Sequence, residues 1–240
     1  MTADRLDRIA ETEGNHFWFT ARRRIVADAW ARLSLPPDPK VLDVGCGTGA
    51  NLRELAPNAD AIGLDPLRHH LRGSLRRGPC FVQGSALALP IRGSSIDLAL
   101  ALDVIEHIDD VASLHELHRV IRPRGHLIVT VPAGPWLWSR RDDDAGHLRR
   151  YTRETLCTSL RSGGFDVRRC SPFHGALLPL LIASRLAGRV APYTRDLEDQ
   201  PPSVVNSVLS RVTAMEASLA ERGIMAPWGS SLLAVARMVP

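Results

Sequence analysis

Residues 40–49 read Lys-Val-Leu-Asp-Val-Gly-Cys-Gly-Thr-Gly, and the rest of the chain is arranged around them. Val41 to Val44 form a short β-branched apolar run, as expected of a buried parallel strand. The run enters three spaced glycines, Gly45, Gly47 and Gly49, and then a helical pattern through Leu52, Leu55 and Ala56. Strand, glycine turn and helix together make the layout of a nucleotide-binding crossover. Glycine lets the backbone turn sharply and approach a ligand closely, and the free N–H groups of the helix start face that ligand.

The glycines alone fit a dinucleotide fingerprint loosely, through Gly45, Gly47 and Ala50. Asp43 discriminates. A carboxylate at the strand's end repels a pyrophosphate but suits a ligand carrying an ammonium group, such as S-adenosylmethionine. Asp43, Gly45, Gly47 and Gly49 resemble, position by position, motif I of the class I S-adenosylmethionine-dependent methyltransferases. Asp65 supports the same unit. It ends the next apolar run, 20 residues after Gly45, where an acidic side chain reaches ribose hydroxyls.

Downstream the resemblance continues. Gly84-Ser85-Ala86 stands where the family often has Gly-Asp-Ala, so Ser85 replaces the residue expected on the adenine amino group. Residues 103–108, Asp-Val-Ile-Glu-His-Ile, resemble motif IV, and Arg122-Pro123-Arg124-Gly125 resembles the turn before the fifth strand. The resemblance implies a cradle of Asp43, Gly45, Cys46, Gly47, Gly49, Asp65, Pro66, Ser85, Ala86, Asp103, Val104 and His107. It implies S-adenosylmethionine as cofactor and S-adenosylhomocysteine as product. The expected fold is a Rossmann-like, doubly wound α/β sheet of seven mostly parallel strands with an antiparallel last strand. The strands are expected at 41–44, 61–64, 80–83, 95–103, 126–131, 165–170 and 231–238, and a basic-faced helix at 67–77.

The expected organisation is one domain over 1–240: a helical cap at 1–39, a cofactor-binding half at 40–133, and a substrate half at 134–240. Residues 174–228 form a helical insert between strands six and seven. Residues 203–222 carry apolar side chains at helical spacing; the bland reading is a flap completing the core, and a homodimer face or an amphipathic membrane contact is the alternative. In the cap, His16-Phe17-Trp18-Phe19 precedes Arg22-Arg23-Arg24. The bland reading is aromatic packing; the functional one is a lid, with Arg22 or Arg23 on the cofactor's carboxylate and Trp18 toward the substrate.

Two histidines qualify as catalytic base or orienting residue. His107 lies by the switch point, and His147 lies in the loop after strand five. Arg149, Arg150 and Tyr151 could hold an anionic group, and Trp136 could line an acceptor wall. Asp142, Asp143, Asp144 and His147 form an oxygen-rich run, but adjacent loop carboxylates are usually just solvated, and no metal is assigned.

Composition fits an ordinary globular protein of 240 residues, 45% hydrophobic and 23% charged. A net charge of +4, nearly all of it from arginine, is too small and scattered to indicate nucleic-acid binding. Four cysteines without a Cys-x-x-Cys pair argue against a zinc ribbon and fit a reducing, cytoplasmic setting. The readings are thus a methyltransferase for a small-molecule acceptor (a sugar, lipid-linked intermediate or secondary metabolite), an NAD-linked oxidoreductase, or an idle cofactor-binding partner subunit.

Overall fold

A computed structural model describes residues 10–57, 59–67, 79–190 and 201–239. Its centre is one seven-stranded sheet in the order β3-β2-β1-β4-β5-β7-β6. The strands are β1 (Lys40–Val44), β2 (Asp60–Asp65), β3 (Cys80–Gln83), β4 (Ile96–Leu102), β5 (Ile121–Pro132), β6 (Phe165–Phe173) and β7 (Ser231–Met238). The first five pair in parallel, while β7 runs antiparallel between β5 and β6.

The helices are α1 (Phe17–Ala31), α2 (Ala50–Leu55), α3 (Asp110–Val120), α4 (Arg140–Ala145), α5 (Arg153–Ser162), α6 (Leu178–Val190) and α7 (Ser203–Glu221). They cover both faces of the sheet, and β4 shows why its sequence alternates. Leu98, Leu100 and Leu102 pack with Ile25, Val26 and Ala29 of α1 and Ala217 of α7. Ile96, Ala99 and Ala101 pack on the opposite face with Leu114 and Leu117 of α3 and Leu156 and Leu160 of α5. Every β4 residue is buried, and each large aliphatic side chain hidden this way contributes about 1.5–3 kcal/mol.

Local chemistry sets several boundaries. Thr152 caps α5: its hydroxyl accepts from the Thr155 backbone N–H at 3.1 Å, and the Thr155 hydroxyl accepts from the Thr152 N–H at 2.9 Å. Gly164, at φ +87, then takes the left-handed conformation that ends the helix. β5 begins at Ile121, earlier than expected, because the Arg122–Gly125 turn is absorbed as an irregularity in the β4–β5 ladder.

The described residues of the insert form α6 and α7, and α7 pairs with α1. The Asn206 side-chain Oδ1 accepts from the Phe17 N–H at 3.0 Å, and Arg24 donates to Glu221 at 2.7 Å and to Ser218 at 2.8 Å. Thus α1 and α7 together close one face of the sheet. Val204, Val208 and Met215 on α7 stay exposed. No helix of the described residues is long and apolar enough to cross a membrane. The helix expected over 67–77 lies outside the described residues, except for Leu67.

Candidate functional site

At the carboxyl ends of β1 and β4, where strand order reverses, the chain opens a cleft of about 930 Å³. Its floor is the glycine turn. Gly45 takes φ +70, and a Cβ there would meet Val104 Cγ2 at 2.5 Å, so only glycine leaves backbone and ligand space free. Gly45, Cys46 and Gly47 line the cleft, as do Asp65, Pro66, Ser85, Ala86, Asp103, Val104 and His107. Gly49 does not. It precedes α2 at φ +79, where a Cβ would meet the Phe81 ring, so it serves packing.

Asp65 organises the floor. One carboxylate oxygen accepts from the Gly47 N–H at 3.0 Å and the other from the Leu67 N–H at 2.9 Å. Each oxygen keeps a second lone pair for a hydroxyl. Ser85 uses its hydroxyl oxygen on the Leu87 N–H at 3.1 Å, and retains its own O–H to donate.

Asp43 corrects one expectation. It does not line the cleft; it is buried behind it, and neither carboxylate oxygen has a hydrogen-bond partner among the described residues. Burial pushes its carboxyl up to about 7, with Arg22 pulling down and Asp65 pushing further up. Asp43 lies inside β1, one residue short of its end, where the strand's side chains are buried on both faces.

The wall above the turn is the N-terminal segment. Thr12, Glu13, His16, Phe17, Trp18 and Phe19 line the cleft, and Thr48 of the glycine turn donates to Glu13. Trp18 stacks on His174 at 4.1 Å between ring centroids. Arg22 reaches the cleft but is ion-paired with Asp103, whose other oxygen accepts from Thr130 at 2.9 Å. Asp103 holds φ +58, a strained value for an aspartate, inside this network.

The same cleft gathers His107, His147, Asp142 and Arg150. The sequence motif of that segment, Ser139-Arg-Arg-Asp142, is a capping box that nucleates α4 where no period was legible. Asp142 is therefore buried and not solvated. It accepts from the Ser139 N–H at 2.9 Å, from His147 Nδ1 at 2.8 Å and from Arg150 Nε at 2.7 Å. Burial pushes its carboxyl up, but the bonds from His147 and Arg150 win and hold it well below the usual carboxylate range. His107 Nδ1 lies 3.2 Å from the Gly146 carbonyl oxygen, and its ring meets that of His147 edge-on at 4.7 Å. Burial, then the neighbouring His147, pushes His107 down to about 4, so its ring is neutral near pH 7.

Three expected substrate contacts fall elsewhere. Arg149 donates to one oxygen of Asp110 at 2.5 Å and Tyr151 donates to the other at 2.9 Å, tying the loop to the start of α3. Neither lines the cleft, and Trp136 is 61% exposed away from it. Arg150, between them, does line it. Glu106 was overlooked as a site residue although it stands inside the Glu-His-Ile motif. It lines the cleft, is fully buried, and has both carboxylate oxygens without a partner among the described residues.

The arrangement fits a sulfonium nucleoside: a glycine floor that a Cβ would fill, Asp65 with free lone pairs, and an unpartnered carboxyl at Asp43 behind the turn. Comparison with known proteins agrees. The methyltransferase domain family matches residues 18–169. A protein of Mycolicibacterium smegmatis named a probable S-adenosylmethionine-dependent methyltransferase is 32% identical over 70% of this chain and 67% of its own length. The curated relatives are longer, and the chain spans about half to two thirds of their length. Geranyl diphosphate methyltransferase solved with S-adenosylmethionine shares the fold at a TM-score of 0.63, with 13% identity over 91% of this chain and 85% of that one. The cyclase SpnF, which catalyses a [4+2] reaction, shares it at 0.59, with 21% identity over 91% and 80%. Family match, sheet order and glycine-floored cleft converge: this chain belongs to the methyltransferase domain family and carries the class I, S-adenosylmethionine-dependent fold.

Proposed function

We propose that the protein transfers a methyl group from S-adenosylmethionine to a small-molecule acceptor. What carries this reading is one continuous cleft. The glycine turn and Asp65, the His107–His147 pair, and apolar residues of the insert, Leu180, Leu181 and Leu209, all line it. Its volume of about 930 Å³ lies at the upper end for one drug-sized ligand, leaving room for a cofactor and a second molecule with an apolar part.

The cofactor supplies a methyl group already activated on a sulfonium. The residues of the chain supply binding, alignment and exclusion of water. Asp65 takes the ribose hydroxyls, Ser85 and Ala86 take the adenine edge, and the Gly45–Gly47 turn admits the amino-acid part. Arg22, held by Asp103, places a guanidinium near that part's carboxylate. His147, its Nδ1 fixed by Asp142, acts on the acceptor and not on the cofactor.

Incubation of the protein with methyl-labelled S-adenosylmethionine and fractionated cell extract tests the reading. Label is expected in the low-molecular-weight fraction; label confined to RNA or protein, or no transfer, would contradict it. Asp65→Ala is expected to weaken S-adenosylhomocysteine binding by about 1.5–3 kcal/mol, the range for a charged hydrogen bond. Unchanged affinity by calorimetry would remove Asp65 from the site. His147→Ala is expected to reduce turnover about a hundredfold or more while cofactor affinity holds. A steady-state and calorimetric comparison separates the two, and equal turnover would return His147 to a structural role.

A further inference from the structure

We propose that Glu106, His107 and His147 bind one divalent transition-metal cation at the acceptor end of the cleft, where it holds an acceptor oxygen. The metal site stands on its own geometry; its use for the acceptor rests on the methyltransferase reading.

One ligand-type atom from each of these three residues lies within 4.8 Å of the other two. A cation drawing ligands to about 2.0–2.2 Å needs only small side-chain shifts from there. Glu106 supplies an independent indication. Its carboxyl is completely buried, lines the cleft, and has no hydrogen-bond partner at either oxygen among the described residues. A buried carboxyl in that state is costly unless a positive charge meets it. The two arginines whose charge it feels are engaged elsewhere, Arg22 by Asp103 and Arg150 by Asp142.

Each histidine has a partner at one ring nitrogen. His147 Nδ1 faces the Asp142 carboxylate at 2.8 Å, and His107 Nδ1 faces the Gly146 carbonyl at 3.2 Å. Both acceptors call for a proton on Nδ1, which leaves the Nε2 lone pair of each ring available. A carboxylate or carbonyl behind a histidine, fixing its tautomer, is the usual outer support of a metal-bound imidazole. Two imidazoles and one carboxylate favour manganese, iron, cobalt or zinc over magnesium and calcium, and leave coordination positions open.

Those positions select an acceptor that offers hydroxyl oxygen, and the transfer is an O-methylation. The acceptor hydroxyl, made more acidic by the cation, gives up its proton to bulk solvent as it binds, before water is excluded. The oxygen lone pair forms the bond to the methyl carbon. The carbon–sulfur bond breaks, its electron pair stays on sulfur, and the sulfonium leaves as a neutral thioether.

The test is titration of Zn²⁺ into chelator-stripped protein by calorimetry, with Co²⁺ absorption as an optical probe of the wild type. One Zn²⁺ per chain is expected, together with visible Co²⁺ bands. Glu106→Gln and His147→Asn are each expected to weaken Zn²⁺ binding about tenfold or more. His115→Asn, on the exposed side of α3, should leave it unchanged. Absence of one-to-one Zn²⁺ and Co²⁺ binding in the wild type, or affinities that both site variants leave untouched, would overturn the site. Full label transfer by the stripped protein would overturn the metal's role and leave His147 as a direct base. S-adenosylhomocysteine titrated into the same preparations keeps the two readings apart: cofactor bound without metal sinks the metal site alone, and metal bound without cofactor supports the site and sinks the methyltransferase reading.

Discussion

Asp142→Ala is expected to destabilise the protein by about 3–5 kcal/mol, the usual consequence of stripping one partner from a buried ion pair. The side chain is 1% exposed and holds Arg150, itself nearly buried, together with His147 and the start of α4. Its removal leaves the Arg150 guanidinium, among the described residues, with the Ala133 carbonyl at 3.0 Å. The same loss frees the His147 ring to rotate, so turnover should fall further than the loss of folded protein explains. Urea denaturation reads the stability, and activity per folded molecule reads the second effect; a change below about 1 kcal/mol would show that the pair is not the anchor its burial implies. The pH dependence has a definite sign. Asp142 stays ionised in the folded state to a lower pH than its ordinary 3.8, so its contribution is present above about pH 4 and is lost as pH falls below that.

Asp43→Asn is expected to change the shape of the stability curve in the opposite sense. The Asp43 carboxyl, at about 7 when folded and 3.8 when unfolded, keeps its proton in the folded state between those values while the unfolded chain loses it. The wild type therefore loses stability as pH rises from about 4 to 7, by on the order of 4 kcal/mol at one pH unit per 1.4 kcal/mol. Glu106 adds the same sign, whereas His107, pushed down to about 4, and His174, pushed down to about 3, oppose it. The difference between wild type and Asp43→Asn cancels those other groups. Measured by urea midpoint at pH 4.5 and pH 8, that difference should shift toward the variant at the higher pH. Parallel curves would show that Asp43 ionises normally.

How far the sequence carried depended on whether a feature is local. The glycine turn, the Thr152–Thr155 box and the β7 strand are each set by residues adjacent in sequence, and their positions follow from backbone chemistry alone. The Gly146–Tyr151 loop shows the opposite case. Three neighbouring polar residues, Arg149, Arg150 and Tyr151, looked equivalent, but Tyr151 bridges Ala133 in extended form, and extended residues face alternate sides. Arg150 faces the cleft, while Arg149 and Tyr151 turn together to Asp110, 39 or more residues away in sequence. Asp43 and Asp65 make the same point. Both stand at or one residue before the end of a strand ahead of a turn, but only Asp65 accepts from backbone N–H groups, those of Gly47 and Leu67, and lines the cleft. Asp142 reads in the sequence only as one of three neighbouring loop carboxylates; its cap on Ser139 and its pairing with His147 and Arg150 depend on how α4 forms and docks.

Calorimetric titration of S-adenosylhomocysteine into the intact protein tests the central claim most directly. One site per chain is expected, weakened in Asp65→Ala, with no heat from NADH under the same conditions. Binding of NADH in its place, or no binding of S-adenosylhomocysteine at all, would contradict the assignment of the glycine-floored cleft.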